Sequence, residues 1–250
     1  MLNSVTREVS QPGRRPVRRV AAVDDTPDAG AAYEERVQRA ISFAGQDHEF
    51  FVEAKARELL DLVGSHVGEP RLLRALDVGC GVGLGDRFLA QAFSELHGTD
   101  VDPVSIEAAR RRNPSVEYTL AGAERLPYPD GSFDVVFAAG VMHVIDPPSW
   151  PAFIAEAARV TRAGGLVAAF EHNPLNPLTR LAARRWYGGR LPALLGRRVL
   201  ERLFRSNRLS VAETRYIVFF PWRSRALRAV EKRLHRLPLG AQFVVAGRKA

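Results

Sequence analysis

Two short stretches carry side chains that can move a proton. Gly140-Val-Met-His-Val-Ile-Asp-Pro147 holds His143, whose ring titrates near neutrality and can take a proton from a hydroxyl or amine nucleophile. A histidine that merely packs is the other reading of the same residue. Thr161-Arg-Ala-Gly-Gly-Leu-Val-Ala-Ala-Phe-Glu-His-Asn-Pro174 ends in Glu171, His172 and Asn173, ahead of Pro174 and Pro177. Glu171 can orient His172, or either can act on an acceptor directly; equally, the trio can satisfy loop backbone groups. No tight ligand spacing suits a metal, and none is expected.

A third stretch offers charge and bare backbone. Leu72, Leu73, Ala75, Leu76 and Val78 are compact enough for a strand buried on both faces, and Gly79, Gly81 and Gly83 follow at once. Such a turn lets backbone approach a ligand closely. A dinucleotide fingerprint fails at its third glycine, because Leu84 stands three residues after Gly81 and Asp86 three after Gly83. A P-loop would need a lysine, and none is near. Asp77 at the entry repels phosphate and favours a cation; a structural glycine turn with a capping acid is the bland alternative. Asp100 follows Gly83 by 17 residues, about where a βαβ unit places an acid for ribose hydroxyls. Asp102 before Pro103 reads instead as a helix cap.

Leu76-Asp-Val-Gly-Cys-Gly-Val-Gly83 resembles motif I of the class I S-adenosylmethionine-dependent methyltransferases. The resemblance implies that Asp77, Gly79, Cys80, Gly81 and Gly83 hold the methionine part of the cofactor, with no chemical role for the Cys80 thiol. It places Asp100 at the ribose, with Val101 beside it among the cofactor-binding residues. Ala121 to Phe137 is similar to the family's adenine segment, with Gly122, Ala123 and Glu124 as the contacts. Many relatives have an acid where this chain has Gly122, so either the backbone of Gly122 and Ala123 serves the ring, or Glu124 substitutes, or that hydrogen bond is missing.

These residues need a scaffold. Strands are expected at 72–78, 95–100, 116–120, 135–138, 166–170, 210–220 and 242–247, with helices at 86–93, 102–112, 150–160 and 224–237. Two helices over 31–64 precede the sheet, with Tyr33, Val37, Ala40, Ile41, Phe50, Phe51, Ala54, Leu59, Leu60 and Val63 at helical spacing. Phe43, Phe50 and Phe51 either line a cover over the cofactor or pack the helices on the sheet. The resemblance implies a Rossmann-like seven-stranded, mostly parallel α/β sheet with the last strand antiparallel and helices on both faces.

Bulk composition agrees with one such domain: 250 residues, 46% hydrophobic and 26% charged. Residues 1–30 read as a disordered basic arm without a signal-peptide core, residues 31–250 as the methyltransferase domain, with 31–70 its N-terminal helices. With no long apolar stretch and a single cysteine, the expectation is a soluble cytoplasmic protein. The formal charge of +8 concentrates in an arginine-rich helical insert over 179–208, where nine arginines face Glu201 alone. Leu194, Leu195, Val199, Leu200, Leu203 and Phe204 recur there at helical intervals, so amphipathic helices with arginine faces are expected. Such faces are solvated, or meet an anionic partner, an anionic lipid surface included.

The expected function is methyl transfer from S-adenosylmethionine to a small-molecule acceptor, anionic or lipid-like. An RNA methyltransferase using the insert is a second reading, without an amino-methylation motif or RNA-binding module to support it. A non-catalytic cofactor-binding interaction protein, docking on a membrane through 179–208, is a third. The oligomeric state is not encoded legibly.

Overall fold

The computed structural model describes residues 38–39, 47–186, 189, 193–220, 222 and 224–250. The basic arm, most of the first expected helix with Phe43, and Arg190 lie outside them.

Small and β-branched residues build the centre of the sheet. β1 (Arg74–Val78), β2 (Glu95–Asp100), β3 (Glu117–Leu120), β4 (Phe133–Ala139), β5 (Thr161–His172), β6 (Leu209–Ile217) and β7 (Gln242–Lys249) lie side by side in the order β3-β2-β1-β4-β5-β7-β6. The β1, β2, β3, β4 and β5 pairings are parallel, and β7 runs antiparallel to both β5 and β6. Strand order reverses between β1 and β4, so the crevice at their carboxyl ends is the place such a sheet offers a ligand.

Each face is covered by a hydrophobic layer. α1 (His48–His66) and α3 (Pro103–Arg112) place Leu59, Leu62, Val63, Ile106 and Ala109 against Ala75, Val135, Phe137, Ala168 and Phe170. Opposite, α4 (Trp150–Val160) and α6 (Arg197–Ser206) place Phe153, Ile154, Leu200 and Phe204 against Val136, Ala138, Val167 and Ala169. Alternation along β1, β4 and β5 feeds both layers, which is why these strands read as continuous apolar runs. The short helices α2 (Asp86–Leu89), α5 (Pro177–Trp186) and α7 (Arg225–Leu234) complete the set.

Several expectations are corrected. Leu72 is 78% exposed, because Pro70 opens a 3-10 turn over Pro70–Leu72 and the strand starts only at Arg74. The helix expected over 86–93 lasts one turn: the Ala92 amide bonds three residues back to Leu89 O, and Ser94 turns in to Leu73 O. Gly164 and Gly165 lie within a bulge of β5, where the β4 pairing jumps from Phe133↔Thr161 to Val135↔Leu166. Val218, at φ 60°, ends β6 at Ile217. In α1 the buried stripe is Val52, Ala56, Leu59, Leu62 and Val63; Phe50 and Phe51 pack edge to face on its flank, their centroids 5.3 Å apart. For these two rings, packing accounts for their positions. The arginine-rich helices form as expected, with Leu200 and Phe204 inward, while Val199 is exposed.

Candidate functional site

The glycine loop leaves β1 with its backbone bonded to the neighbouring strand. Gly79 and Cys80 amides both donate to Thr99 O, at 2.7 and 2.9 Å. Two of the three glycines are demanded by packing. At Gly79 a Cβ would stand 2.6 Å from Val141 Cγ2, and at Gly83 it would stand 2.6 Å from Asn113 Nδ2. Gly81 differs: at φ 54° nothing lies within 4 Å of where its Cβ would be. The loop is therefore packed beneath and open at its middle.

Asp100 joins this loop to the end of β2. Its Oδ2 accepts from the Gly81 amide and its Oδ1 from the Asp102 amide, each at 2.9 Å. Burial raises its pKa, and the two amides oppose that rise. Asp102 caps α3, accepting from the Ser105 amide and hydroxyl. Val101 is 59% exposed beside the groove, its Cγ1 3.8 Å from the Cβ position of Gly122. Ala123 is half-buried and Glu124 exposed. The structure thus brings Val101 and Gly122 into contact with each other, and leaves Glu124 in solvent.

Beneath the loop lies an acid that sequence reading did not single out. Asp86 and Asp77 are both buried, and one oxygen of each has no hydrogen-bond donor in the protein. Asp86 Oδ2 accepts from Tyr118 Oη at 2.7 Å, Tyr118 Oη accepts from Asn113 Nδ2 at 2.9 Å, and Asn113 Nδ2 also donates to Gly83 O. Burial lifts the Asp86 pKa to about 6, and burial followed by the charge of Asp86 lifts Asp77 well above the usual carboxylate range. Burial likewise pushes the Cys80 thiol far above its ordinary value, so it is no nucleophile.

His143 and Glu171 meet across the β4–β5 pair, where Ala139↔Phe170 sets the register. Glu171 is 3% exposed; its Oε2 lies 3.0 Å from His143 Nδ1 and its Oε1 accepts from the Met142 amide at 2.8 Å. Because a carboxylate accepts only, Nδ1 carries a proton in this bond, and in the neutral ring the lone pair is on Nε2. Trp150 Nε1 donates to Met142 O and Ile145 O, at 2.8 and 3.1 Å, fixing the turn that carries the histidine.

Of the readings open for Glu171, orienting His172 is not the one seen: its carboxylate bonds His143. Neighbouring residues on a strand point to opposite faces, so Glu171 turns to His143 and His172 to the other side. The His143 and His172 rings remain close, with centroids 4.7 Å apart. Burial, then the charge of His143, pushes the His172 pKa well down. Asn173 is structural: Nδ2 donates to Pro238 O and Gly240 O, and Oδ1 accepts from the Leu175 amide.

α1 adds two groups that sequence analysis missed, His48 and Lys55. They stand two helical turns apart on the side of α1 that faces the rim. Burial pulls the Lys55 pKa down, while Glu171 and Asp77 pull it up. Burial and then Lys55 bring His48 to about 4, so it is neutral. Among the described residues Lys55 has no direct hydrogen bond or ion pair. Arg215 on β6 holds the helix in place through Glu58 at 3.1 Å and Asp61, while binding Glu213 on its own strand.

With this geometry in view, the comparisons are specific. The family model described as Methyltransferase domain matches residues 75–165, which run from β1 into the bulge of β5. Residues 75–165 thus match a methyltransferase domain, the family that the glycine-loop sequence resembles. The sheet, Asp77 with the glycine loop, and Asp100 are the parts of that domain the sequence resembled. A phthiotriol/phenolphthiotriol dimycocerosates methyltransferase of Mycobacterium leprae is 36% identical over 107 residues, 41% of this chain and 39% of the relative. A fatty-acid O-methyltransferase of Mycolicibacterium smegmatis is 38% identical over 96 residues, 37% of this chain and 34% of the relative. A demethylmenaquinone methyltransferase of Renibacterium salmoninarum is 31% identical over 144 residues, 56% of this chain and 57% of the relative. The matches thus span less than two thirds of these relatives. Among solved structures, a SAM-dependent methyltransferase, possible histamine N-methyltransferase, from Thermotoga maritima superposes with a TM-score of 0.61 at 20% identity, over 88% of this chain and 96% of that one. A geranyl diphosphate C-methyltransferase from Streptomyces coelicolor, crystallised with S-adenosyl-L-homocysteine, gives 0.57 at 15% identity, over 78% and 77%. Both show that the methyltransferase domain has the Rossmann-like fold expected from its sequence.

Proposed function

We propose that this chain transfers the methyl group of S-adenosylmethionine to a small, lipid-like acceptor, with His143 as the base where the acceptor must lose a proton. The carrying observation is the 2.9 Å bond from the Gly81 amide to Asp100, which joins the acid ending β2 to the open middle of the loop ending β1.

The residues present fit the cofactor. Asp77 and Lys55 offer opposite charges to its ammonium and carboxylate. Each oxygen of Asp100 uses one lone pair on an amide and keeps another for a ribose hydroxyl. Bound S-adenosylmethionine supplies a methyl already activated by positive sulfur, so the protein's task is alignment, exclusion of water and removal of a proton. Glu171 keeps the Nδ1 proton of His143 in place, leaving Nε2 free to accept one from a hydroxyl or amine. The named acceptors of the relatives, phthiotriols, fatty acids and demethylmenaquinone, are apolar molecules, which supports a lipid-like acceptor here.

Calorimetric titration with S-adenosylhomocysteine tests the cofactor site: binding is expected, weakened at least about tenfold by Asp100→Ala, in line with loss of a charge-assisted hydrogen bond. A wild-type protein that takes up none removes the reading. Incubation of labelled donor with metabolite and lipid extracts then identifies the acceptor.

A further inference from the structure

The loop that follows His172 and the loop that leads into β7 are fastened together at the carboxyl rim of the sheet. Asn173 Nδ2 donates to Pro238 O and Gly240 O, Asn176 Nδ2 donates to Leu239 O at 2.7 Å, and Thr179 Oγ1 donates to Ala241 O at 2.8 Å. Asn176 Oδ1 accepts from the Thr179 amide at the start of α5, so the helix and both loops form one rigid knuckle.

Its outward residues are leucines. Leu175 is 68% exposed, Leu178 59%, Leu239 65%, Leu237 45% and Leu181 42%. The three from the first segment recur every third residue, while those from the second flank Pro238. Isolated exposed leucines need no explanation, but several gathered on one fastened surface do. On the same two segments and in the last turn of α7 lie Arg180, Arg184, Arg233 and Arg236, all exposed and, among the described residues, without an ion pair. The sequence contains no acid from 172 to 200 or from 232 to 250. Leucines rimmed only by cations match an anionic lipid surface, whose headgroups pair with the arginines while its acyl region takes the leucines. A second copy of the chain would bring arginine against arginine, which disfavours self-association through this face.

We propose that the knuckle of Leu175, Leu178, Leu181, Leu237 and Leu239, with its four arginines, docks this protein on an anionic membrane surface. The knuckle shares Arg180, Leu181 and Arg184 with the expected insert but not its second helix: α6 spends Arg197 and Arg205 on Glu201, whereas the knuckle draws its second half from the segment before β7. Docking itself does not depend on methyl transfer. Where the methyl-transfer reading holds, it has a consequence: His172 pairs with Gln242 a few residues from the knuckle, so a lipid acceptor would reach the rim without crossing bulk water.

Vesicle flotation with the full chain provides the test. Vesicles of phosphatidylglycerol and phosphatidylcholine in equal parts are expected to float the protein, and pure phosphatidylcholine vesicles to do so far less. The Leu178→Glu/Leu239→Glu variant should partition at least about tenfold more weakly, since two apolar side chains no longer enter the acyl boundary. Arg180→Glu/Arg184→Glu should weaken flotation and reduce its salt sensitivity. All four substituted positions are exposed, so melting temperatures should stay at the wild-type value. A wild type that remains with the aqueous fraction overturns the proposal, as does a leucine variant that floats like wild type. Retention on RNA that ignores the leucine substitutions, without flotation, overturns it in favour of a nucleic acid. S-adenosylhomocysteine binding, measured separately, reports on the methyl-transfer reading alone.

Discussion

Asp77 and Asp86 are both buried at the glycine loop, and Asp86 is held from the far side by Tyr118 Oη at 2.7 Å. Burial, followed by the charge of Asp86, raises the Asp77 pKa well above the usual carboxylate range, so ionising both acids is costly. The loop that resembles a cofactor motif therefore rests on a titratable support.

The pair makes stability fall with rising pH. Burial raises Asp86 to about 6 and Asp77 higher, both above their unfolded values. The folded protein thus holds protons that the unfolded chain releases from about pH 4 upward, so stability present below that pH is lost as pH climbs through the folded values. Asp86→Asn keeps an acceptor for Tyr118 and supplies a donor to Asp77. Melting at pH 5 and pH 8 should show the variant gaining about 1–2 kcal/mol more at the higher pH. Equal shifts at both would contradict raised pKa values for this pair.

Cofactor affinity should carry the same proton. An ammonium placed beside Asp77 favours the ionised carboxylate, so binding expels the proton and tightens as pH rises from 5 to 8. Calorimetry of S-adenosylhomocysteine in buffers of different ionisation enthalpy reads this release directly. Asp77→Asn should bind more weakly and lose the pH dependence; a wild-type affinity that is flat over this range rules the linkage out.

How much of this is legible in sequence follows from how local each feature is. The strand, the glycine turn and Asp100 lie within one βαβ unit, where apolar runs and spacing fix the geometry, and each strand falls close to its expected place. Gly79 and Gly83 are legible as glycines but not by cause, since both are required by packing on Val141 and Asn113. The His143–Glu171 pair spans 28 residues and depends on the β4–β5 register, and reading Glu171 with its neighbour His172 ignored the strand's alternation. Lys55 did leave a signal: a lysine beside the buried stripe of Val52, Ala56 and Leu59, seven residues after His48. Choosing Phe50 and Phe51 as the inward face of α1 hid it.

Lys55 is a half-buried lysine without a direct partner among the described residues, so its role is best separated by comparing binding with stability. Burial lowers its pKa from the ordinary lysine value, so keeping it charged costs folding free energy. Lys55→Met should leave the melting temperature unchanged or higher at pH 7, yet weaken S-adenosylhomocysteine by at least about tenfold through loss of a carboxylate partner. Undiminished affinity would remove Lys55 from the site.

The division of labour between His143 and its neighbours yields the last prediction. If Nε2 of His143 accepts the acceptor's proton, His143→Gln should lower kcat by about 10²–10⁴ with little change in S-adenosylhomocysteine affinity. Glu171→Gln retains an acceptor for the Met142 amide but weakens the hold on Nδ1, so its kcat should fall less, with KM nearly constant. His172→Gln, which alters a ring that touches His143 but not Glu171, should leave most activity. These rates are measured with the acceptor found by labelling. A His143→Gln enzyme as fast as wild type would show that the acceptor arrives already deprotonated, and would return the Glu171–His143 bond to a role in fastening β4 to β5.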